Sequence, residues 1–117
     1  MIDLIIPIYN VDIARFKICL SSVIAQTIVD QIRVTIVDDA SNQENEEVEQ
    51  LLTQMSTFLN IQLLRYSENR GPGYARQCGI NNTENPYIMF LDADDMLAPV
   101  AAETLLKGLE DNPDKYI

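Results

Sequence analysis

Asp92 and Asp94 stand two residues apart at the end of an apolar run, in the segment Phe90-Leu91-Asp92-Ala93-Asp94-Asp95. On a strand, side chains at i and i+2 share a face. Two carboxylates ~5 Å apart then repel by about 3 kcal/mol at an effective dielectric of 20. Such a pair persists where a cation or hydrogen-bond donors offset it. The donor set is oxygen only, and the chain contains no His at all. That favours a hard ion, Mg²⁺ or Mn²⁺, over Zn²⁺. Two carboxylates underfill an octahedron, so a diphosphate and water would complete it. Asp94 is assigned to the metal with Asp92 beside it, and Asp95 is read as a cap of the helix that follows.

Three further polar clusters have chemical potential. Asp38-Asp39 follows a β-branched run; each carboxylate either caps the next turn or accepts a hydrogen bond from a base N–H, and the residues alone leave both readings open. Asn69-Arg70-Gly71-Pro72-Gly73 sets glycines and a cation at a helix start, where free N–H groups favour anions. It lacks the Gly-Lys-Ser/Thr ending of a Walker loop. Arg76, one turn on, faces either a crevice or the acidic run; for both arginines, charge balance against nearby aspartates is compatible with binding. Tyr9-Asn10 follows the first apolar run.

The elements that must position these residues alternate strand and helix four times. Asp3–Ile8, Ile32–Val37, Ile61–Arg65 and Tyr87–Leu91 read as strands. A helix capped by Asp12 carries Ile13, Phe16, Leu20, Val23, Ile24 and Thr27 at helical period. Ser41 and Glu44 have capping-box spacing before Glu46, Glu47 and Glu49, and that helix is expected to bury Val48, Leu51, Leu52, Met55, Phe58 and Leu59. Gly71-Pro72-Gly73 opens a third helix with Ala75, Cys78 and Gly79 on one face; Pro99 opens a fourth through about Leu109. This pattern predicts an α/β, three-layer α/β/α, Rossmann-like domain with a mainly parallel sheet. In such sheets ligands bind beyond the carboxyl ends of the strands. All four polar clusters fall at those ends.

Composition narrows the partners. The 117 residues suit one domain, 1–117, with one core. A formal charge of −10 argues against nucleic acid, whose backbone needs clustered Lys and Arg. An acidic protein binds a small anion only with a cation between them. No run approaches the ~20 apolar residues of a membrane span, and no signal-peptide pattern stands at the N-terminus. The two cysteines, Cys19 and Cys78, are read as buried free thiols of a reducing compartment.

Four segments, in order and spacing, resemble the family 2 glycosyltransferases of the GT-A fold. They are Ile5-Ile6-Pro7-Ile8-Tyr9-Asn10, Val37-Asp38-Asp39-Ala40-Ser41, Asn69-Arg70-Gly71-Pro72-Gly73-Tyr74-Ala75-Arg76, and Phe90-Leu91-Asp92-Ala93-Asp94-Asp95. The resemblance covers the nucleotide-sugar-binding part of that family's catalytic domain. It implies that Pro7 and Tyr9, with Asn10 beside them, line the base pocket. It implies that the Asp38-Asp39 pair holds the base, chiefly through Asp39. Asn69, Gly71 and Arg76 would stand on the donor side, Asp92 would meet ribose and metal, and Asp94 the Mn²⁺ or Mg²⁺ ion. The family commonly has Asn after the basic residue where this chain has Gln77.

The resemblance further implies inverting transfer from a nucleotide-diphosphate sugar, by default a UDP-sugar, to a saccharide, lipid or protein hydroxyl. The general base and the Gln-x-x-Arg-Trp segment belong to the acceptor half of the family. The chain has no Trp, so it is read as truncated before that half, with its base expected beyond residue 117. The alternative is a non-catalytic donor-binding fragment served by a partner chain. The expected location is cytoplasmic, at the inner face of a membrane where the acceptor is a lipid. A Mg²⁺-binding receiver-type signalling domain is the rival from another class, but it would carry its acidic pair after the first strand. A nucleotidyltransferase would carry an Arg/Lys-bearing glycine loop there instead.

Overall fold

The computed structural model describes residues 1–42 and 46–111. Strands β1 (Ile2–Ile8), β2 (Ile32–Asp38), β3 (Asn60–Arg65) and β4 (Tyr87–Phe90) alternate with helices α1 (Ile13–Ile24), α2 (Glu46–Met55), α3 (Pro72–Asn81) and α4 (Ala101–Asp111). The sheet is parallel throughout, in the order β3-β2-β1-β4. β1 and β2 are the inner strands, buried along their length except at half-buried Pro7 and Arg33. That is why both read as largely apolar runs, with Asp3 and Thr35 buried among the aliphatic residues. The edge strands β3 and β4 have no fully buried residue.

Side-chain alternation divides the core into two layers. Ile2, Leu4, Ile6, Val34 and Ile36 pack under α1, α2 and α4 through residues such as Phe16, Leu52 and Leu106. On the other face Ile5 and Val37 meet Ala75 of α3. The α/β/α order expected from the sequence is present. Gly79 explains how close α3 comes: a Cβ there would lie 2.6 Å from Ile5 Cγ2. The two free thiols sit in different layers, Cys19 on the buried face of α1 and Cys78, only half-buried, on α3. No helix among the described residues is long and apolar enough to cross a membrane.

Several boundaries differ from the expectations, each for a local reason. α1 stops at Ile24, before Thr27, because Gln26 turns inward to hold the segment ahead of α4 and the Thr27 N–H donates to the Pro99 carbonyl. α2 stops at Met55, and the next turn buries Leu59 while leaving Phe58 64% exposed. Glu44 lies outside the described residues. Ser41 is already engaged, donating its hydroxyl to Asp38 and accepting from the Asn10 N–H. β4 ends at Phe90, and α4 begins two residues after Pro99. Asp95, six residues ahead of α4, is therefore not its cap.

Candidate functional site

The chain runs β1, β2, β3 toward one edge, then crosses back to lay β4 on the other side of β1. The carboxyl ends of β1 and β4 flank this reversal, where open α/β sheets leave a crevice. A crevice of about 590 Å³ lies there. It is lined by Pro7 through Asp12 with Arg15, by Asp39, by Asn69, Gly71, Pro72 and Ala75, and by Asp92 to Asp94.

The first wall is the turn after β1. Asn10 adopts a left-handed φ of 49°, which Asn tolerates better than most residues. Its N–H donates to Ser41 Oγ at 3.0 Å, and its Oδ1 accepts from the Asn42 N–H at 2.8 Å. Asn42 Nδ2 donates in turn to the Tyr9 hydroxyl at 3.2 Å, so the exposed Tyr9 ring is tethered at its tip. Asp12 caps α1, its Oδ1 accepting from the N–H groups of Ala14 and Arg15.

The second wall is built on β2. Asp38 is 1% exposed; its carboxylate accepts from the Ser41 N–H at 3.0 Å, the Ser41 hydroxyl at 2.6 Å and Arg65 Nε at 3.2 Å. It does not line the crevice. Asp39 does, although only 4% exposed. Its Oδ1 accepts from the Tyr66 hydroxyl and the Arg70 N–H, and its Oδ2 from the Gly71 N–H at 2.8 Å. Burial pushes the Asp39 carboxyl up, but these three donors outweigh it and hold its pKa below the ordinary value. Asn69 Nδ2 donates to the Asp39 carbonyl at 3.2 Å, closing the loop over the end of the strand.

The third wall is the acidic segment. One oxygen of each of Asp92, Asp94 and Asp95 lies within 4.8 Å of the others, and all three residues are exposed. A turn closed by Asp95 N–H donating to Asp92 O gathers them. The strand pleat invoked from the i, i+2 spacing plays no part, and a third carboxylate joins the pair. From behind, a row on α1 and just past it holds the segment: Cys19 Sγ donates to Asp92 O at 3.6 Å, Ser22 Oγ accepts from the Leu97 N–H, and Gln26 bridges Ala98 O and the Ala102 N–H. Burial first, then Asp95, Asp94 and Asp92, pushes the Cys19 thiol up to about 12. It therefore stays a protonated donor to the Asp92 carbonyl. The donor set is carboxylate oxygen only, which fits Mg²⁺ or Mn²⁺.

Of the residues picked from the sequence, Pro7, Tyr9, Asn10, Asp39, Asn69, Gly71, Asp92 and Asp94 meet at this crevice. Two do not line it. Asp38 is taken up by Ser41 and Arg65, the turn-holding alternative. Arg76 faces the acidic run, with a nitrogen 3.6 Å from Asp92 Oδ1. Arg70 pairs with Glu68 and lies over the Tyr74 ring. Sequence reasoning did not pick out Arg15 as a lining cation, Asp95 as the third carboxylate, or Tyr66 as the partner of Asp39. Arg15 had one readable signal, its place one turn into the helix that starts at the crevice.

The description Glycosyl transferase family 2 matches residues 3–117, and so spans every wall of the crevice. The chain belongs to this family. Family 2 membership sets aside the receiver and nucleotidyltransferase alternatives. Among its relatives, glycosyltransferase GlyA of Streptococcus pneumoniae is 35% identical over 108 residues, covering 92% of this chain and 15% of GlyA. The uncharacterized glycosyltransferase YibD of Escherichia coli is 32% identical over 114 residues, covering 97% of this chain and 32% of YibD. The chain thus spans a third or less of the length of these family 2 relatives. In structure it resembles Staphylococcus aureus TarS 1–349 in complex with UDP-GlcNAc, with TM-score 0.84 and 22% identity over 96% of this chain and 32% of that one. It also resembles the mannosyltransferase PcManGT of Pyrobaculum calidifontis in complex with GDP-Man and Mn²⁺, with TM-score 0.77 and 21% identity over 99% of this chain and 33% of that one. The GT-A type fold expected from the motifs is the fold observed.

Proposed function

We propose that this chain is the donor-binding part of an inverting glycosyltransferase that takes a nucleoside diphosphate sugar together with Mn²⁺ or Mg²⁺. One observation carries the reading: an exposed three-carboxylate cluster shares a crevice with a buried, ionised Asp39 at the reversal point of the sheet. Asp94 and Asp92 would hold the ion, with Asp95 in reach as a third oxygen donor. When bound, the ion offsets charge on the departing nucleoside diphosphate. Asp39 accepts from the base, Pro7 and Tyr9 flank it, and Asn10, Asn69 and Gly71 shape the walls. Asp92 also meets the ribose. Arg76, beside Asp92, helps to offset the diphosphate from outside the lining.

TarS with UDP-GlcNAc and PcManGT with GDP-Man and Mn²⁺ support this choice of ligand class. A UDP-sugar is the first donor to test. The acceptor is a hydroxyl of a saccharide, lipid or protein, and the transfer is a single displacement. Among the described residues, each carboxylate lining the crevice has another part to play. Asp12 caps α1, Asp39 takes three donors, and Asp92 and Asp94 form the cation cluster. The base that deprotonates the acceptor therefore comes from outside these residues, from further chain or from a partner. Two free cysteines fit a reducing, cytoplasmic setting.

Calorimetry with UDP and GDP, with and without Mn²⁺, tests the proposal. Binding should require the metal, and Asp94→Ala should weaken it about a hundredfold or more, ~2.7 kcal/mol. Equal binding in EDTA overturns the metal assignment.

A further inference from the structure

Among the described carboxylates lining the crevice, Asp39 alone is shut away from solvent, and the group that aims it comes from outside the crevice. The backbone at Asp39 is fixed on one side, its N–H donating to Ile8 O at 2.9 Å. On the other side the chain leaves at once, through Ala40 at a left-handed φ of 60°. Among the described residues, three donors hold the side chain. Two of them, the N–H groups of Arg70 and Gly71, belong to the loop ahead of α3, which turns through Gly71 at φ 89°. The third is the hydroxyl of Tyr66, the first residue past the end of β3. Tyr66 is itself braced. Its ring meets Tyr74 of α3 edge-on at a centroid distance of 5.1 Å, and Arg70 lies 5.1 Å over the Tyr74 ring. Such edge contacts prefer one geometry.

We infer that Tyr66 is a positioning residue for nucleobase recognition, fixing the Asp39 carboxylate so that its remaining acceptor site meets an N–H of the base. An ionised carboxylate has about four acceptor sites. Oδ1 has two donors and Oδ2 has one, so one site on Oδ2 remains for a ligand. Because Asp39 is acceptor-only, the base must present an N–H there. Tyr66 does not line the crevice and touches no ligand itself. Removing its hydroxyl leaves both loop donors in place but takes away one of the two that hold Oδ1, which loosens the aim of the carboxylate. Burial, reinforced by the hydrogen bond to Asp39 and its charge, raises the pKa of the Tyr66 phenol. The phenol thus remains a donor at neutral pH and above.

This inference rests on the donor-binding reading, and the test separates the two. Calorimetry is run with Mn²⁺ and UDP, GDP or inorganic pyrophosphate on wild type, Tyr66→Phe, Asp39→Asn and the double variant. Tyr66→Phe should weaken whichever of UDP and GDP wild type prefers by about tenfold, the scale of one hydrogen bond to a charged group. Pyrophosphate, which has no base, should bind all four proteins alike. In the Asp39→Asn background Tyr66→Phe should add little, because both act on one contact. If wild type binds neither nucleotide, the donor-binding reading itself fails and this inference falls with it. If wild type binds and Tyr66→Phe binds equally well, only the role of Tyr66 falls. Equal losses of nucleotide and pyrophosphate, or additive losses in the double variant, would mean that Tyr66 only supports the fold, and would also overturn it.

Discussion

Asp38-Asp39 and Asp92-Ala93-Asp94-Asp95 look alike as sequence, and the fold treats them in opposite ways. The first pair is 1% and 4% exposed, and among the described residues six donor contacts from Ser41, Arg65, Tyr66, Arg70 and Gly71 meet its oxygens. The second group is exposed, and its one ion pair among the described residues is the 3.6 Å contact from Arg76 to Asp92. An uncompensated buried charge costs several kcal/mol, so the first pair could not exist without its donors. In water the mutual repulsion of the second group is small, and its oxygens stay available. Whether the protein itself supplies the counter-charge therefore separates carboxylates that build the site from carboxylates that wait for a ligand. Asp39 is the informative intermediate, compensated by the protein but with an acceptor site left over.

The sharpest way to break this contrast is to delete one member of each group. Asp39→Ala strands the Tyr66 hydroxyl and the N–H groups of Arg70 and Gly71, and should lose about 2–4 kcal/mol in urea unfolding. Asp94→Ala removes repulsion from an exposed cluster and should leave stability unchanged within about 0.5 kcal/mol, or raise it slightly. A comparable loss in both variants would show that the acidic turn also holds the fold, and the distinction would collapse.

A smaller effect comes from pH. The folded pKa of Asp39 lies below its ordinary value of 3.8. The stability this carboxylate lends is therefore complete above that value and is lost as pH falls through the depressed folded one. Tyr66→Phe removes one cause of the depression. Wild type should exceed it by about 1–1.5 kcal/mol at pH 7, and the gap should narrow below about pH 4. Urea midpoints at pH 7, 5 and 3 read this directly. A gap that persists undiminished as pH falls would mean that the Tyr66 hydroxyl supports the fold independently of the charge on Asp39.

The contrast also explains what the sequence could and could not reveal. A parallel sheet sends every strand's carboxyl end to one edge, so locating the strands was enough to bring Tyr9, Asp39, Asn69 and Asp92 together. The apolar runs of β1 and β2 are legible because both faces are covered. Compensation was not legible, since it depends on tertiary contacts. Tyr66 reaches Asp39 across 27 residues with no periodicity to announce it. Asp95 joins its neighbours through a turn, where the i, i+2 rule of strands no longer applies. Once α2 stops at Met55 the helical period no longer places Phe58, which is exposed while Leu59 is buried. Gln26 looks like one more residue of a helical run, yet it is 3% exposed and links α1 to the segment ahead of α4.

The smallest expected effect tests the cation beside the acidic turn. Arg76 and Asp92 are both well exposed and 3.6 Å apart, so their pairing is worth little to the fold, about 0.2–1 kcal/mol at most. Arg76→Gln should hardly move the unfolding midpoint. Its effect on binding should depend on the ligand. Without Arg76 the cluster is more negative, and Mn²⁺ alone should bind about twofold tighter, a change on the scale of one exposed charge contact. The nucleoside diphosphate brings its own negative charge, and losing a nearby cation should weaken UDP in the presence of Mn²⁺ by a similar factor. Opposite signs in the two titrations would mark Arg76 as a charge shared between protein and ligand. If both ligands weaken together, Arg76 instead holds Asp92 in place, and the acidic turn is less free of protein compensation than its exposure suggests.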